Sequence, residues 1–124
     1  MLQNKTFELA VQAIELVKGF QRGIAHEVVA KQFVRAATST AANYRAAIQA
    51  RSRPEFVSKM NIVLEEADET RFWLDLMRRT HFVQSGEITS IYGLADEVVA
   101  MALASRQTAR RGFASDQKQG TWGP

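Results

Sequence analysis

The chain contains no cysteine. That excludes a disulfide framework, a thiolate metal site and a cysteine nucleophile. Proline and glycine are scarce, at 2 and 7 residues of 124, and the C-terminal part takes a disproportionate share of them. Histidine occurs only twice. No stretch reaches the roughly 18 uncharged apolar residues needed to span a bilayer. The start, Met1 to Thr6, lacks the basic-then-apolar layout of an export signal, so a cytoplasmic protein without membrane contact is expected. No repeat at solenoid period is visible, and no stretch alternates apolar and polar residues long enough to read as a strand.

What remains is an ordinary globular composition, 46% hydrophobic and 23% charged. It is enough for one domain and too short for two. Four helical periods can be read in it. The first covers roughly Thr6 to Phe20, where Phe7, Ala10, Val11, Ile14, Val17 and Phe20 recur at steps of three and four. Gly19 and Gly23 then interrupt the chain. The second covers about Ile24 to Ala50, with Val29, Phe33, Ala36, Ala37, Thr40, Tyr44, Ala47 and Ile48 on one side. Its alanines favour helix and allow a neighbour to approach closely.

The sharpest punctuation is Ser52-Arg53-Pro54-Glu55, a Ser-x-x-Glu capping box with proline in the first turn, where its missing N–H costs little. The third helix follows as a near-pure heptad of Phe56, Met60, Val63, Ala67, Thr70, Leu74 and Met77, which is a bundle seam. It fades near Thr80, and Ser85-Gly86 breaks the chain. A fourth helix is expected from about Glu87 to Arg111 on Ile88, Ile91, Ala95, Val98, Val99 and Ala102. Four helices with short joints predict an all-α, antiparallel up-down-up-down bundle over residues 1–112. Residues 113–124 have no period and are expected to form a flexible tail.

Catalytic chemistry finds little footing. A di-iron bundle needs Glu-x-x-His on two helices, but Gly23 precedes His26 by three and Arg78 precedes His81 by three. His26-Glu27 opens like a zinc-protease motif, yet Ala30 stands where the second ligand belongs. Glu66 and Glu69 flank the polar side of the third helix rather than its seam. Both histidines are expected at the surface or in loops, and no phosphate-binding glycine loop is present. No catalytic residue, metal site or cofactor is expected, and the chain is read as a non-enzyme.

The net charge of +3 is unevenly spread. Between Arg22 and Arg53 six basic residues face one acid, and between Pro54 and Met77 two basic residues face six acids. From Arg106 onward four basic residues face one acid. Lys31, Arg35 and Arg45 fall within about 80° of one another at the helical 100° per residue. They form either a solvated outer face, partly neutralised by the acidic third helix, or a stripe that follows a phosphate backbone. The basic C-terminal residues Arg106, Arg110 and Arg111 extend the second option. A protein-interaction scaffold without nucleic-acid affinity is the alternative.

The third helix carries a second apolar surface. Phe72 and Leu76, one turn apart, point nearly opposite the Phe56–Leu74 seam, with Trp73 on the flank. Since a bundle buries one face of each helix, this surface predicts a homo-oligomer interface, although Trp73 alone could simply close the edge of the core. The fourth helix is also broad, with Leu94 and Met101 on one flank and Leu103 on the other.

Several segments together resemble a known family. Gln32-Phe33-Val34-Arg35-Ala36-Ala37-Thr38-Ser39-Thr40-Ala41-Ala42-Asn43 is followed by Arg51-Ser52-Arg53-Pro54-Glu55-Phe56. Glu65-Glu66-Ala67-Asp68-Glu69-Thr70-Arg71-Phe72-Trp73-Leu74, Ala95-Asp96-Glu97-Val98-Val99-Ala100 and Thr108-Ala109-Arg110 complete the pattern. Over about residues 4–112 their order and spacing resemble the four-helix bundle proteins of the 23S rRNA intervening-sequence type. The resemblance implies a bacterial bundle that assembles as a ring, typically a homopentamer. It also implies kinship with accessory proteins of diversity-generating retroelements, basic pentameric barrels that bind nucleic acid and a reverse transcriptase. Intervening-sequence members themselves have no established activity. One departure stands out, since the family usually carries Glu-Gly near the positions of Ala46 and Ala47. The polar side formed by Gln32, Arg35, Ser39 and Asn43 is retained, as a hydrogen-bonded seam or as a ligand site.

Overall fold

The computed structural model describes the backbone of residues 1–119 and the side chains of residues 1–112. Four helices follow one another: α1 (Leu2–Lys18), α2 (Ile24–Ile48), α3 (Arg53–Arg79) and α4 (Ser85–Gln119). No strand occurs among the described residues. Each helix packs on its two neighbours in a closed square: α1 on α2, α2 on α3, α3 on α4 and α4 back on α1. Cross-helix pairs give the direction of the chain. Asn61 meets Arg106, Arg71 meets Asp96 and Asp75 meets Tyr92, so numbers rise along α3 as they fall along α4. This is the antiparallel bundle that short joints between long helices require.

The capping box works as its residues dictate. Ser52 has extended backbone angles, and its Oγ accepts the Glu55 N–H at 3.2 Å, with proline in the first turn of α3. The heptad residues Met60, Val63, Ala67, Thr70, Leu74 and Met77 are all buried. They meet Phe33, Ala36, Ala37 and Thr40 of α2 and Ile88, Ile91, Ala95, Val98 and Ala102 of α4 in one continuous core. Three buried threonines satisfy their hydroxyls within their own helices: Thr6 on the Gln3 carbonyl, Thr40 on Ala36 and Thr70 on Glu66, at 2.8 to 3.0 Å. No buried hydroxyl there is left without an acceptor, so the seam costs no stranded polar group.

The face of α1 differs from the one its period predicts. Leu2, Thr6, Leu9 and Ala13 are buried, joined by Ala10 and by half-buried Leu16, Val17 and Phe20. Phe7 is 66% exposed, and Val11 and Ile14 are also exposed. The helix carries two apolar stripes of the same spacing, and periodicity alone weighs them equally. Packing selects the one with smaller side chains, because Thr6, Ala10 and Ala13 let α1 approach its neighbours more closely than Phe7 would.

Helix ends also shift. α2 stops at Ile48, two residues early, while α4 runs to Gln119, eight residues beyond the expected end at Arg111. Gly112 does not break it, since one glycine costs only about 1 kcal/mol and a packed helix already carries the nucleation cost. The rest of the segment expected as a tail, residues 120–124, lies outside the described residues. Over Ser85–Gly112, α4 is long and apolar enough to cross a membrane by length and composition, contrary to the sequence expectation. Its Ile88, Ile91, Ala95, Val98 and Ala102 fill the bundle core, and its mid-helix Asp96 bonds Arg71. It is placed here as a core helix.

At one end, the two loops are tied by rings. His26 stacks on Phe82 with centroids 4.1 Å apart, and Phe20 meets both edge-on at 5.9 and 5.7 Å. His26 is thus half-buried rather than a free surface residue, whereas His81 is exposed in the turn with φ 58°. Gly23 begins α2 at φ 141°, a conformation that an L side chain rarely adopts.

Two stability outcomes follow. Leu9→Ala should cost roughly 2–5 kcal/mol in urea unfolding and Phe7→Ala less than about 1, because only the first opens a core cavity. Equal losses would show that Phe7 is buried after all. Gly23→Ala should lower the melting temperature measured by circular dichroism, whereas alanine at exposed Gly86, with no atom within 4 Å of its Cβ position, should leave it within a few degrees.

Candidate nucleic-acid interface

The basic residues singled out by the sequence do not form one stripe. Arg35 turns toward α3, where its guanidinium pairs with Glu66 at 3.0 Å and with Glu69, and it also bonds Gln32 at 3.2 Å. The two carboxylates, Glu69 foremost, raise its pKa above the ordinary value. Glu69 also accepts the Trp73 indole N–H at 3.2 Å, and Asn43 donates to Ser39 one turn away. On the Gln32–Asn43 side of α2, Arg35 carries the contact to α3, while Gln32 bonds Arg35 and Asn43 bonds Ser39 within α2 itself. Arg35 is committed to that contact. Charge runs cannot reveal this, because the pairing depends on the register between two helices.

Lys31 is exposed on α2 and has no ion pair among the described residues. Arg45 lies fourteen residues further on, about 21 Å along the axis. The two belong to different levels of the bundle.

Arg45, Arg106, Arg110 and Arg111 lie at similar levels near one end of the bundle. α2 ends there, α3 begins there, and α4 passes by. The Arg106 guanidinium donates to Asn61 Oδ1 at 2.9 Å, which fixes its level on α3. Arg45, Arg110 and Arg111 are exposed and have no ion pair among the described residues. Two more arginines join them that the charge stripe passed over, Arg51 and Arg53, flanking the capping serine. Arg51 lies 3.8 Å from Glu55, and its side chain is almost fully exposed. Across residues 44–56 and 101–112 there are six arginines and one acid. Their sequence signal was the short Arg-Ser-Arg, counted within the basic Arg22–Arg53 segment but not placed on the Lys31–Arg45 stripe.

Helix α1, described from Leu2, does not reach this level. Lys5 near the start of α1 bonds Glu97 of α4, and Gln12, Glu15 and Leu16 share a groove with Glu87, Ser90 and Ile91. Residues of α4 beyond about 100 therefore have no α1 beside them. A cavity of about 540 Å³ occupies that position, lined by α2, α3 and α4. Among the described residues, no group of three His, Asp or Glu that could hold a metal ion is found.

The expected oligomer residues divide. Phe72 is 55% exposed and Leu76 37%, whereas Trp73 is half-buried against the core and meets Phe72 edge-on at 4.9 Å. Trp73 closes the edge of the core and extends the exposed pair. Exposed Val28 stands on α2, and the Arg35–Glu66 pairing sets the register that brings it level with this part of α3. The Phe7, Val11 and Ile14 stripe of α1 is a second apolar surface, which the sequence had assigned to the core.

Comparison with known proteins converges on one group. A crystal structure of a protein of unknown function from the S23 ribosomal protein family of Bacteroides thetaiotaomicron superposes with a TM-score of 0.80 at 35% identity. The match covers 86% of this chain and 98% of that one. A search of curated proteins finds no match. Residues 2–104, nearly the whole of the bundle described above, match the family of 23S rRNA-intervening sequence proteins, and the chain belongs to that family.

Proposed function

We propose that this chain is a non-enzymatic, homo-oligomeric bundle that binds nucleic acid through the arginine-rich end where α2, α3 and α4 meet. The observation that carries the reading is that Arg45 of α2, Arg51 of the joint, Arg53 of α3 and Arg106, Arg110 and Arg111 of α4 lie at similar levels near one end, with Glu55 the one acid within residues 44–56 and 101–112. Guanidinium groups spread over a rigid surface suit phosphates spaced along a backbone, and such contact is salt-sensitive and indifferent to sequence. Arg35 is left out of this surface because its charge is already answered by Glu66 and Glu69. Lys31 contributes at most a distant contact.

The oligomer part of the proposal rests on the exposed apolar residues. Phe72 and Leu76 with Trp73 on α3, and Phe7, Val11 and Ile14 on α1, occupy diagonal corners of the square bundle. Apolar stripes on two different helices suit a head-to-tail contact, in which one stripe of each copy meets the other stripe of the next and the rotation closes a ring. The family resemblance supports a homopentamer as that ring.

Binding of a structured RNA should tighten as salt falls, and Arg45→Glu/Arg110→Glu/Arg111→Glu should weaken it at least tenfold in fluorescence anisotropy at low salt. Arg35→Gln should change affinity little. Equal weakening by both variants, or no binding at low salt, defeats the nucleic-acid reading and favours a scaffold whose partner is a protein. Light scattering should give about five times the 13.9 kDa chain mass. Phe72→Ser/Leu76→Ser should drop it to the monomer while the circular dichroism spectrum stays helical. A monomeric unaltered protein removes the oligomer proposal.

A further inference from the structure

Two apolar surfaces remain outside the core, and both lean toward α2. On α1, Lys5 reaches Glu97 of α4 and so marks the α4 side of that helix. At the helical 100° per residue, Ile14 stands about 180° from Lys5 and Phe7 about 160°, which turns both toward α2. On α3, Glu69 faces Arg35 of α2 and accepts the Trp73 indole N–H, and Leu76 lies about 20° from Glu69 around the helix. Exposed Val28 and Ile24, each about 20° from Arg35 around α2, carry this second surface onto α2 itself. Among the described residues, α4 exposes only Leu103 of its large apolar side chains.

The two surfaces also share a level. Helices α1 and α3 run the same way, as alternate members of an antiparallel bundle do. Lys5 and Arg71 meet adjacent residues of α4, Glu97 and Asp96, and Phe20 touches Phe82 at the loop end. Phe7 to Ile14 and Phe72 to Leu76 both lie between these two markers. Rotation about an axis parallel to the helices therefore carries one surface onto the other without a shift along that axis. Contacts of that kind can close, whereas a shift at every copy builds an open filament.

A second copy is the occupant that this geometry selects. A foreign partner on either surface leaves the other bare, whereas a like chain covers one surface with the other and repeats the contact. The angle between the surfaces fits as well. Surfaces centred on opposite corners would set copies in a straight row. Adjacent faces of a square bundle, α1–α2 and α2–α3, stand at about a right angle, which is the turn made by a small ring of about four or five copies.

We propose that copies join with the α1–α2 face of one against the α2–α3 face of the next, so that α2 forms the inner wall of the ring and α4 the outer wall. This rests on the oligomer reading above and adds which faces meet and which helix is enclosed. Exposed Lys31 stands about 180° from buried Thr40 around α2, so it points at the ring axis. Exposed Arg45 lies about 40° from Lys31 on the same edge, as does exposed Glu27. Two cations and one acid from every copy make the enclosed channel basic.

The test mixes two variants of the full chain, each checked for retained helicity by circular dichroism. Phe7→Ser/Ile14→Ser and Phe72→Ser/Leu76→Ser should each be monomeric in light scattering, and an equimolar mixture should form a dimer with one copy of each. Variants that stay associated on their own, or a mixture that stays monomeric, overturn the pairing of the two faces while an oligomer stands. Because the chain has no cysteine, single spin labels can then place the helices. Ala42 of α2 and Ala100 of α4 are both exposed, on the edges of their helices that face away from the core. Labelled Ala42→Cys should give distances between copies more than about 10 Å shorter than labelled Ala100→Cys, since at least one packed-helix spacing separates the two walls. Equal distances, or the reverse order, overturn α2 as the inner wall. If the unaltered protein is monomeric, the oligomer reading itself fails, and the face assignment with it.

Discussion

The length of α1 is the constraint on which the rest of the molecule turns. A helix of 17 residues cannot line partners of 25, 27 and 35 along their whole extent. At 1.5 Å per residue the shortfall against α2 alone is about 12 Å, or two turns. The joint between α1 and α2 is short, and the rings of Phe20, His26 and Phe82 hold that loop end together. At the opposite end α1, described from Leu2, stops short of the level reached by α2, α3 and α4. There the bundle is three helices around an open cavity, and there the arginines collect.

This arrangement separates two kinds of charge that composition merges. Along the closed part of the bundle, opposite charges meet: Arg35 with Glu66 and Glu69, Arg71 with Asp68 and Asp96, Lys5 with Glu97. Such half-exposed pairs contribute little stability each, about 0 to 1 kcal/mol, but they consume the charge and favour one register between helices. Toward the other end, residues 44–56 and 101–112 hold six arginines and one glutamate. The net +3 is thus the residue of a largely neutralised body and a basic end, which suits a contact made by that end alone.

The apolar surplus has a similar geometry. Each helix buries one stripe, and the core closes without Phe7, Val11, Ile14, Phe72 or Leu76. Large side chains left on diagonal corners are a surface of the kind that association covers. These exposed apolar corners and the arginines near one end are the features on which the proposed assembly and nucleic-acid contact rest.

Much of the architecture was legible in the residues. The heptad of α3, the Ser52 cap, the alanine-rich face of α2 and the breaks at Gly23 and Ser85-Gly86 determine four helices and their order, because each is a local effect of period, capping or backbone freedom. Family membership was also legible, since it is a property of the string itself. The tertiary structure alone decided which stripe of α1 is core, because Leu9 and Phe7 have equal spacing and differ only in what they face. It decided that Arg35 is neutralised and Arg45 is not, because that depends on which level of α3 lies opposite each. And it decided that Arg51, Arg53 and Arg110, far apart in the chain, share one open end, because only the relative lengths of packed helices set where the bundle stops being closed.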